Sequence, residues 1–276
     1  MRVESDSRIV AVITGCSSGI GRETALYLKE RFVTVYPTAR REEDVASLKR
    51  DGFENAMKLD VRNYDEISVV ISEVLRREKK IDVWFNNAGY GQMGAVEDLP
   101  TELLKEQFET NLFGLHECTR QVLAVMRRQG FGKIIQHSSV LGLVSLPMRG
   151  AYNASKYAVE GLSDTLRLEL ADEDIYVVSL NTGPVSSRFR ENALETLKRL
   201  DIENSRFSAI YKKALKGEGK RVPFNLPAEA VASRVHEIIL SEKPAPRYYI
   251  TKATYILAFL KRVLPTSMLE RVLLKV

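Results

Sequence analysis

What this 276-residue chain lacks narrows its chemistry before any motif is considered. It has two cysteines, Cys16 and Cys118, on different expected elements. They make no disulfide framework, and both are expected to be reduced. Its three histidines, His116, His137 and His236, are far apart and lack ligand spacing, so they read as core or surface residues and no metal is expected. No uninterrupted apolar run is long enough to span a bilayer. Residues 1–7 are charged and carry no apolar stretch, so they do not read as a secretory signal, and a cytoplasmic protein is expected. Blocks of one charge sign are missing too. The net charge of +5 comes from basic residues scattered among acids, which argues against nucleic acid as a partner. There is no internal repeat and no low-complexity linker. Length and ordinary apolar content fit one α/β domain with a full core.

What is present alternates between strand and helix patterns, as in a doubly wound parallel sheet with helices on both faces. Residues 9–13, Ile-Val-Ala-Val-Ile, read as a fully buried strand. Further strands are expected at 34–38, 56–59, 81–85, 133–137, 175–180 and 247–250, about seven in all. Helices are expected at 42–50, over the stripe Ile67, Val70, Ile71 and Val74, from 100 to about 128 with Gly130 as C-cap, and from Tyr152 to about 170.

Directly after the first strand stands Thr14-Gly15-Cys16-Ser17-Ser18-Gly19-Ile20-Gly21, then a helical pattern. Strand, glycine loop and helix make a nucleotide-binding unit. Gly15 permits a tight turn, Gly19 lets the backbone approach a pyrophosphate, and Gly21 lets helix and strand pack closely. The phosphates would rest on free N–H groups at the helix start. An ordinary βα turn is the competing reading. The second strand ends in Ala39-Arg40-Arg41, where a site for NAD(H) usually has an acid for the ribose 2′-hydroxyl. Two arginines suit a 2′-phosphate instead, which favours NADP(H) over NAD(H). The alternative is a solvated charge pair opening a helix.

Tyr152 and Lys156 stand four apart, on one helix face, with Ser139 thirteen residues before the tyrosine. An ammonium one turn away lowers a phenol's pKa, and the serine can hydrogen-bond the same substrate oxygen. Tyr and Lys at this spacing also occur as a plain surface pair.

Together these motifs resemble the short-chain dehydrogenase/reductase family. The glycine pattern is similar to its Thr-Gly-x-x-x-Gly-x-Gly signature, Asn86-Asn87-Ala88-Gly89 to its fourth-strand motif, and Asn111 to its helix asparagine. Ser139, Tyr152 and Lys156 resemble its catalytic trio. The resemblance covers about 9–249 and implies a single-domain Rossmann fold. It implies that Tyr152 is the general acid, that Lys156 lowers its pKa and holds the nicotinamide ribose, that Ser139 orients the carbonyl, and that Asn111 holds a water linking Lys156 to solvent. Asp60 and Val61 would meet the adenine, with the Asp60 carboxylate on its amino group. Asn87, Ala88 and Gly89 would line the adenosine and ribose side, and Arg40 would take the 2′-phosphate. Ser17, Ser18 and Ile20 fall in the pyrophosphate loop. After the sixth strand Gly183, Pro184, Val185 and Ser187 would contact the cofactor, although Thr182 replaces a usual proline. This Gly-Pro-Val variant is similar to hydroxysteroid and retinol dehydrogenase-like members. Cys16 reads as a small filler.

Residues 1–250 are therefore expected to form the cofactor-binding domain. Within it, 186–223 is long, charged and weakly periodic, and reads as a helical substrate lid with Phe189, Leu194, Leu197, Phe207 and Tyr211 as an apolar wall. The tail, 251–276, is an amphipathic helix pair. Packing on the pocket or a partner subunit is favoured over contact with an anionic membrane surface. The function expected is NADP(H)-dependent interconversion of a carbonyl and a secondary alcohol on a hydrophobic steroid-, retinoid- or lipid-like molecule. The alternative is a non-catalytic NADP(H) sensor on the same fold. The resemblance further implies a homodimer or homotetramer.

Overall fold

The computed structural model describes residues 8–216 and 223–275. The reading of residues 1–7, and part of the expected lid, lie outside the described residues. In chain order the elements are β1 (Val10–Ile13), α1 (Gly19–Lys29), β2 (Thr34–Ala39), α2 (Glu42–Arg50), β3 (Met57–Lys58), α3 (Tyr64–Glu78) and β4 (Val83–Asn86). Next come α4 (Thr101–Phe108), α5 (Leu115–Gln129), β5 (Gly132–Ser139), α6 (Gly150–Glu169) and β6 (Ile175–Thr182). The last part holds β7 (Val185–Ser186), α7 (Phe189–Glu195), α8 (Ser208–Leu215), β8 (Leu226–Pro227), α9 (Glu229–Leu240), β9 (Arg247–Tyr249), α10 (Lys252–Val263) and α11 (Thr266–Leu273).

Seven parallel strands form one sheet in the order β3-β2-β1-β4-β5-β6-β9. The order reverses between β1 and β4, which is where an open α/β sheet leaves a crevice at its strand ends. Successive residues of a strand point to opposite faces, so the continuous apolar run of β1 feeds two cores. Ala11 and Ile13 join Phe85, Ile135 and Val178 under α1, α2 and α9. Val10 and Val12 join Trp84, Ile134 and Val177 under α3 and α5.

Helix ends follow local chemistry. Asn63 caps α3, its side-chain oxygen accepting from the N–H of Asp65 at 3.2 Å and of Glu66 at 3.3 Å. Gly130 closes α5 at φ +80°, a left-handed C-cap.

Four features differ from the sequence expectation. The helix expected over 100–128 is interrupted by a π-helical turn, Glu109–Gly114, between α4 and α5. A π turn is rare and tends to mark functional sites; here it carries Asn111. The helix around Tyr152 starts two residues earlier, at Gly150. β7 and β8 form a separate two-stranded parallel pair. α9 carries Val231, Val235 and Ile238 into the core against Ala25 and Leu28 of α1, a stripe the sequence reading left unassigned.

Candidate active site

The glycine loop leaves β1 with Gly15 at φ +73°, where a Cβ would lie 2.7 Å from Ala88 Cα. Only glycine meets both the left-handed backbone and that close approach. At Gly21 the backbone is ordinary, but a Cβ would strike the Asn87 amide and lie 2.5 Å from the Gly15 carbonyl oxygen. Ser18, the N-cap of α1, makes no side-chain capping bond. The first N–H groups of α1 thus have no side-chain cap, which leaves them to a bound anion. Residues 15–21 therefore fit a pyrophosphate. Ser187 lies across this loop, its Cβ 3.3 Å from where a Gly19 side chain would begin.

The loop is tied to β4 by side chains. Thr14 Oγ1 accepts from the N–H of Asn87 at 3.0 Å and of Ala88 at 2.9 Å. Asn87 Nδ2 donates to the carbonyls of Thr14 at 2.8 Å and Gly15 at 3.0 Å. Its Oδ1 must then accept from His137 Nδ1, 2.9 Å away. That fixes the tautomer and leaves His137 Nε2 to accept from the Thr182 hydroxyl at 3.2 Å. Burial, followed by the nearby Lys156 charge, pushes the His137 pKa down to about 3, so the ring stays neutral. Thr14, His137 and Thr182 were not singled out as site residues from sequence. Their partners lie 45 to 74 positions away, and no local spacing announces such bonds.

At the other end of the crevice the two arginines after β2 separate. Arg41 is held by Asp44 at 2.8 Å and Glu43 at 2.9 Å. Arg40 is exposed, makes no ion pair among the described residues, and lies close enough to Asp60 to favour its charged form. The Asp60 carboxylate is forked by Arg62, at 2.6 Å for Nη2 and 3.0 Å for Nε, an engagement the adenine-binding expectation did not include. That Arg62 fork is the main reason its pKa lies below the usual value. Val61 is buried against Gly114, where a Cβ would lie 2.8 Å from the Val61 carbonyl oxygen. The π turn is thus pressed onto the expected adenine segment.

Asn111 is wholly buried. Its Oδ1 accepts from Tyr90 N–H at 3.0 Å, and its Nδ2 donates to Tyr90 O at 2.9 Å and Ser155 Oγ at 3.2 Å. These bonds tie the segment around Tyr90, just after β4, to Ser155 of α6, one residue before Lys156. Gly89 allows that approach, since its Cβ would lie 3.0 Å from Asn111 Oδ1.

Ser139 ends β5, and Tyr152 and Lys156 lie one turn apart on α6. All three are buried. The Ser139 oxygen accepts from Leu141 N–H at 3.1 Å, and its hydroxyl hydrogen-bonds the Tyr152 phenol. Lys156 Nζ donates to His137 O at 2.6 Å and stands 5.7 Å from the centre of the Tyr152 ring. Burial raises the Tyr152 pKa to about 12, against the lowering influence of the Ser139 hydroxyl and the Arg149 charge. The expected lowering by Lys156 is not what governs this phenol, because desolvation outweighs the charges around it. Burial also lowers Lys156 to about 8, against the Glu160 carboxylate.

Beyond β6, Gly183 is jammed against Thr251 and Thr254, and its Cβ would lie 2.7 Å from Thr254 Oγ1. Pro184 and Val185 follow, with Val185 paired to Leu226. The expected lid wall needs correction. Leu197 and Tyr211 are buried with Ala95, Leu103 and Leu200, and Leu194 and Phe207 pack against them. They form a core of their own with the loop around 93–103. Of the five, only Phe189 packs on Tyr152, its ring centre 5.3 Å away. The tail packs on the site directly. Leu257, Leu269 and Leu273 are grouped with Tyr152, Val140, Leu141 and Val144, with Phe189, Leu146 and Leu260 against them.

Both cysteines are buried, and burial raises Cys16 to about 12. Among the described residues no cluster of His, Cys, Asp or Glu is arranged to hold a metal, and no helix is long and apolar enough to cross a membrane.

A family model described as short chain dehydrogenase matches residues 9–198. The chain is 36% identical over 263 residues to an uncharacterized oxidoreductase, YbbO, of Escherichia coli, covering 95% of this chain and 93% of that one. It is 28% identical to an NADPH-dependent 3-dehydrocapnine reductase of Ornithobacterium rhinotracheale, covering 96% of each. Among solved structures, an F189W actinorhodin polyketide ketoreductase with NADPH superposes with a TM-score of 0.75 at 29% identity, covering 90% of this chain and 97% of that one.

Proposed function

The chain belongs to the short chain dehydrogenase family of oxidoreductases, and from that premise we propose that it interconverts a hydrophobic ketone and a secondary alcohol with NADP(H). The observation carrying this reading is the convergence of Ser139, Tyr152 and Lys156 at the C-terminal end of β5, near the uncapped N-terminus of α1, with Arg40 making no ion pair among the described residues at the other end of the crevice. When bound, NADP(H) supplies or accepts the hydride. The chain's own residues handle the rest. Ser139, hydrogen-bonded to the Tyr152 phenol, turns its hydroxyl proton to the carbonyl oxygen when substrate enters. Tyr152, fully protonated at neutral pH with its pKa near 12, gives its proton to the oxygen as charge develops there. That protonation state favours the reductive direction. Lys156, charged below about pH 8, balances the phenolate left behind. Arg40 suits a 2′-phosphate as a cation no acid has claimed. Val140, Leu141, Leu146, Leu257 and Phe189 give the substrate side an apolar lining.

Retention of Ser139, Tyr152, Lys156 and Asn111 together weighs against a cofactor sensor, which needs no proton donor. The reading also includes a homodimer or homotetramer, supported by exposed Phe113, Tyr157 and Leu162 on and beside α5 and α6; light scattering reads it. Fluorescence titration with NADPH and NADH tests the cofactor. NADPH should bind more tightly, and Arg40→Asp should erase or reverse a preference of about ten- to a hundred-fold. No binding of either, or no turnover across a panel of ketones, would overturn the proposal.

A further inference from the structure

Among the described residues, four of the five half-buried arginines are paired with an acid. The half-buried ones are Arg22, Arg149, Arg167, Arg234 and Arg247. Arg22 holds Asp51 at 2.5 Å, Arg167 is paired with Asp164, Arg234 holds Glu237 at 2.6 Å, and Arg247 holds Glu160 at 2.8 Å. Arg149 alone has neither a side-chain hydrogen bond nor an ion pair among the described residues. A guanidinium taken partly out of water without an acid is costly, and such groups are normally paired.

Its place is specific. Arg149 is the N-cap residue of α6, three positions before Tyr152, and a β-bridge to Gly94 pins its backbone. Arg190 follows Phe189, whose ring lies on Tyr152, and it too makes no ion pair among the described residues. The two cations are close enough to repel each other, and the charge of Arg149 reaches the Tyr152 phenol. The neighbouring acid, Glu191, faces Arg188 instead, at 3.8 Å. Among the described residues no acid forms an ion pair with either of them. At the other end of the same crevice Arg40 likewise makes no ion pair among the described residues, where the proposed reading puts the cofactor's 2′-phosphate.

Resting on the reductase reading above, we propose that Arg149, assisted by Arg190, binds an anionic group on the substrate, so that the enzyme's ketones are oxo acids: a carboxylate a few bonds from the carbonyl and an aliphatic chain beyond it. The chain lies along Leu146, Leu257, Leu260 and Phe189, and the carbonyl meets Tyr152 and Ser139. Arginine's planar fork accepts the carboxylate through two parallel hydrogen bonds, and this fixes which ketone of a longer molecule reaches Tyr152.

The test compares 4-oxodecanoate with its methyl ester as substrates for NADPH-dependent reduction, and measures decanoate against decanol binding to the NADPH-loaded protein by calorimetry. The wild type should prefer the acid by about ten- to a hundred-fold in kcat/KM, since a charge-assisted bond is lost in the ester. Arg149→Met should bring the ratio near one, Arg149→Lys should keep part of it, and Arg190→Met should reduce it less. An unchanged NADPH titration shows that the variants are folded. Equal use of acid and ester by the wild type would overturn the anion site while leaving the reductase reading intact. If neither ketone turned over, the reductase reading would be in question, and the calorimetry would still decide the site: decanoate bound no better than decanol, or equally by Arg149→Met, overturns it.

Discussion

The two sides of the crevice are built by different means. The cofactor side is fastened by polar bonds between backbone and short side chains. Thr14, Asn87, His137 and Thr182 form a chain across β1, β4, β5 and β6 with bonds of 2.8 to 3.2 Å. The substrate side is fastened by apolar packing of α7, α10 and α11 onto 140–146 and onto Tyr152. Directional bonds hold one geometry within a fraction of an ångström and tolerate little substitution. Apolar packing tolerates exchange of shape at similar volume. A fixed cofactor with changeable substrates calls for that division.

The sharpest way to break the comparison is Tyr152→Phe, which removes one hydroxyl where the two sides meet. Steady-state rates should fall by about a hundred- to ten-thousand-fold, the span of a lost general acid, while the NADPH dissociation constant changes little. A large loss of NADPH affinity would mean that the phenol belongs to the cofactor side. Leu269→Ala comes next. This buried contact of α11 should cost about 2–4 kcal/mol in denaturant unfolding and raise KM for ketones more than that for NADPH.

Acid stability sharpens the polar half. The folded-state pKa of His137 is depressed to about 3, far below its value in the unfolded chain. The unfolded state therefore binds a proton first as pH falls. The stabilisation is complete above about pH 6.5 and drains away between there and about pH 3, by about a few kcal/mol. His137→Gln should flatten that part of the unfolding profile; an unchanged slope would show that other groups govern it. A smaller effect is expected at alkaline pH. Lys156 loses its charge as pH rises through about 8, so reduction should slow by a few-fold. A rate that stays flat to pH 9 would show that the amine stays charged in the working complex.

The legible parts of the molecule were those whose causes are local. Five apolar residues before a glycine loop define β1 and α1, because a strand buried on both faces has no alternation to hide. Gly130 ended α5 because a left-handed cap needs no distant partner. Ser139, Tyr152 and Lys156 were recognised through spacing and order. The division between Arg40 and Arg41 was not legible, since only the acids of α2 decide which one is occupied. The lid wall was misjudged for a related reason: Leu194, Leu197, Phe207 and Tyr211 are apolar in any reading, and the loop around 93–103 decides what they cover.

The sequence by itself determined the sheet's strands and the glycine loop, because hydrophobic period and glycine geometry act over a few residues, and its resemblance to the family pointed to Ser139, Tyr152 and Lys156 as candidate proton-handling residues. Tertiary structure alone decided the tautomer of His137, the high pKa of Tyr152 and the solitary charge of Arg149. Each of these is set by burial and by partners brought from distant parts of the chain, and desolvation exists only once the chain has closed around the group.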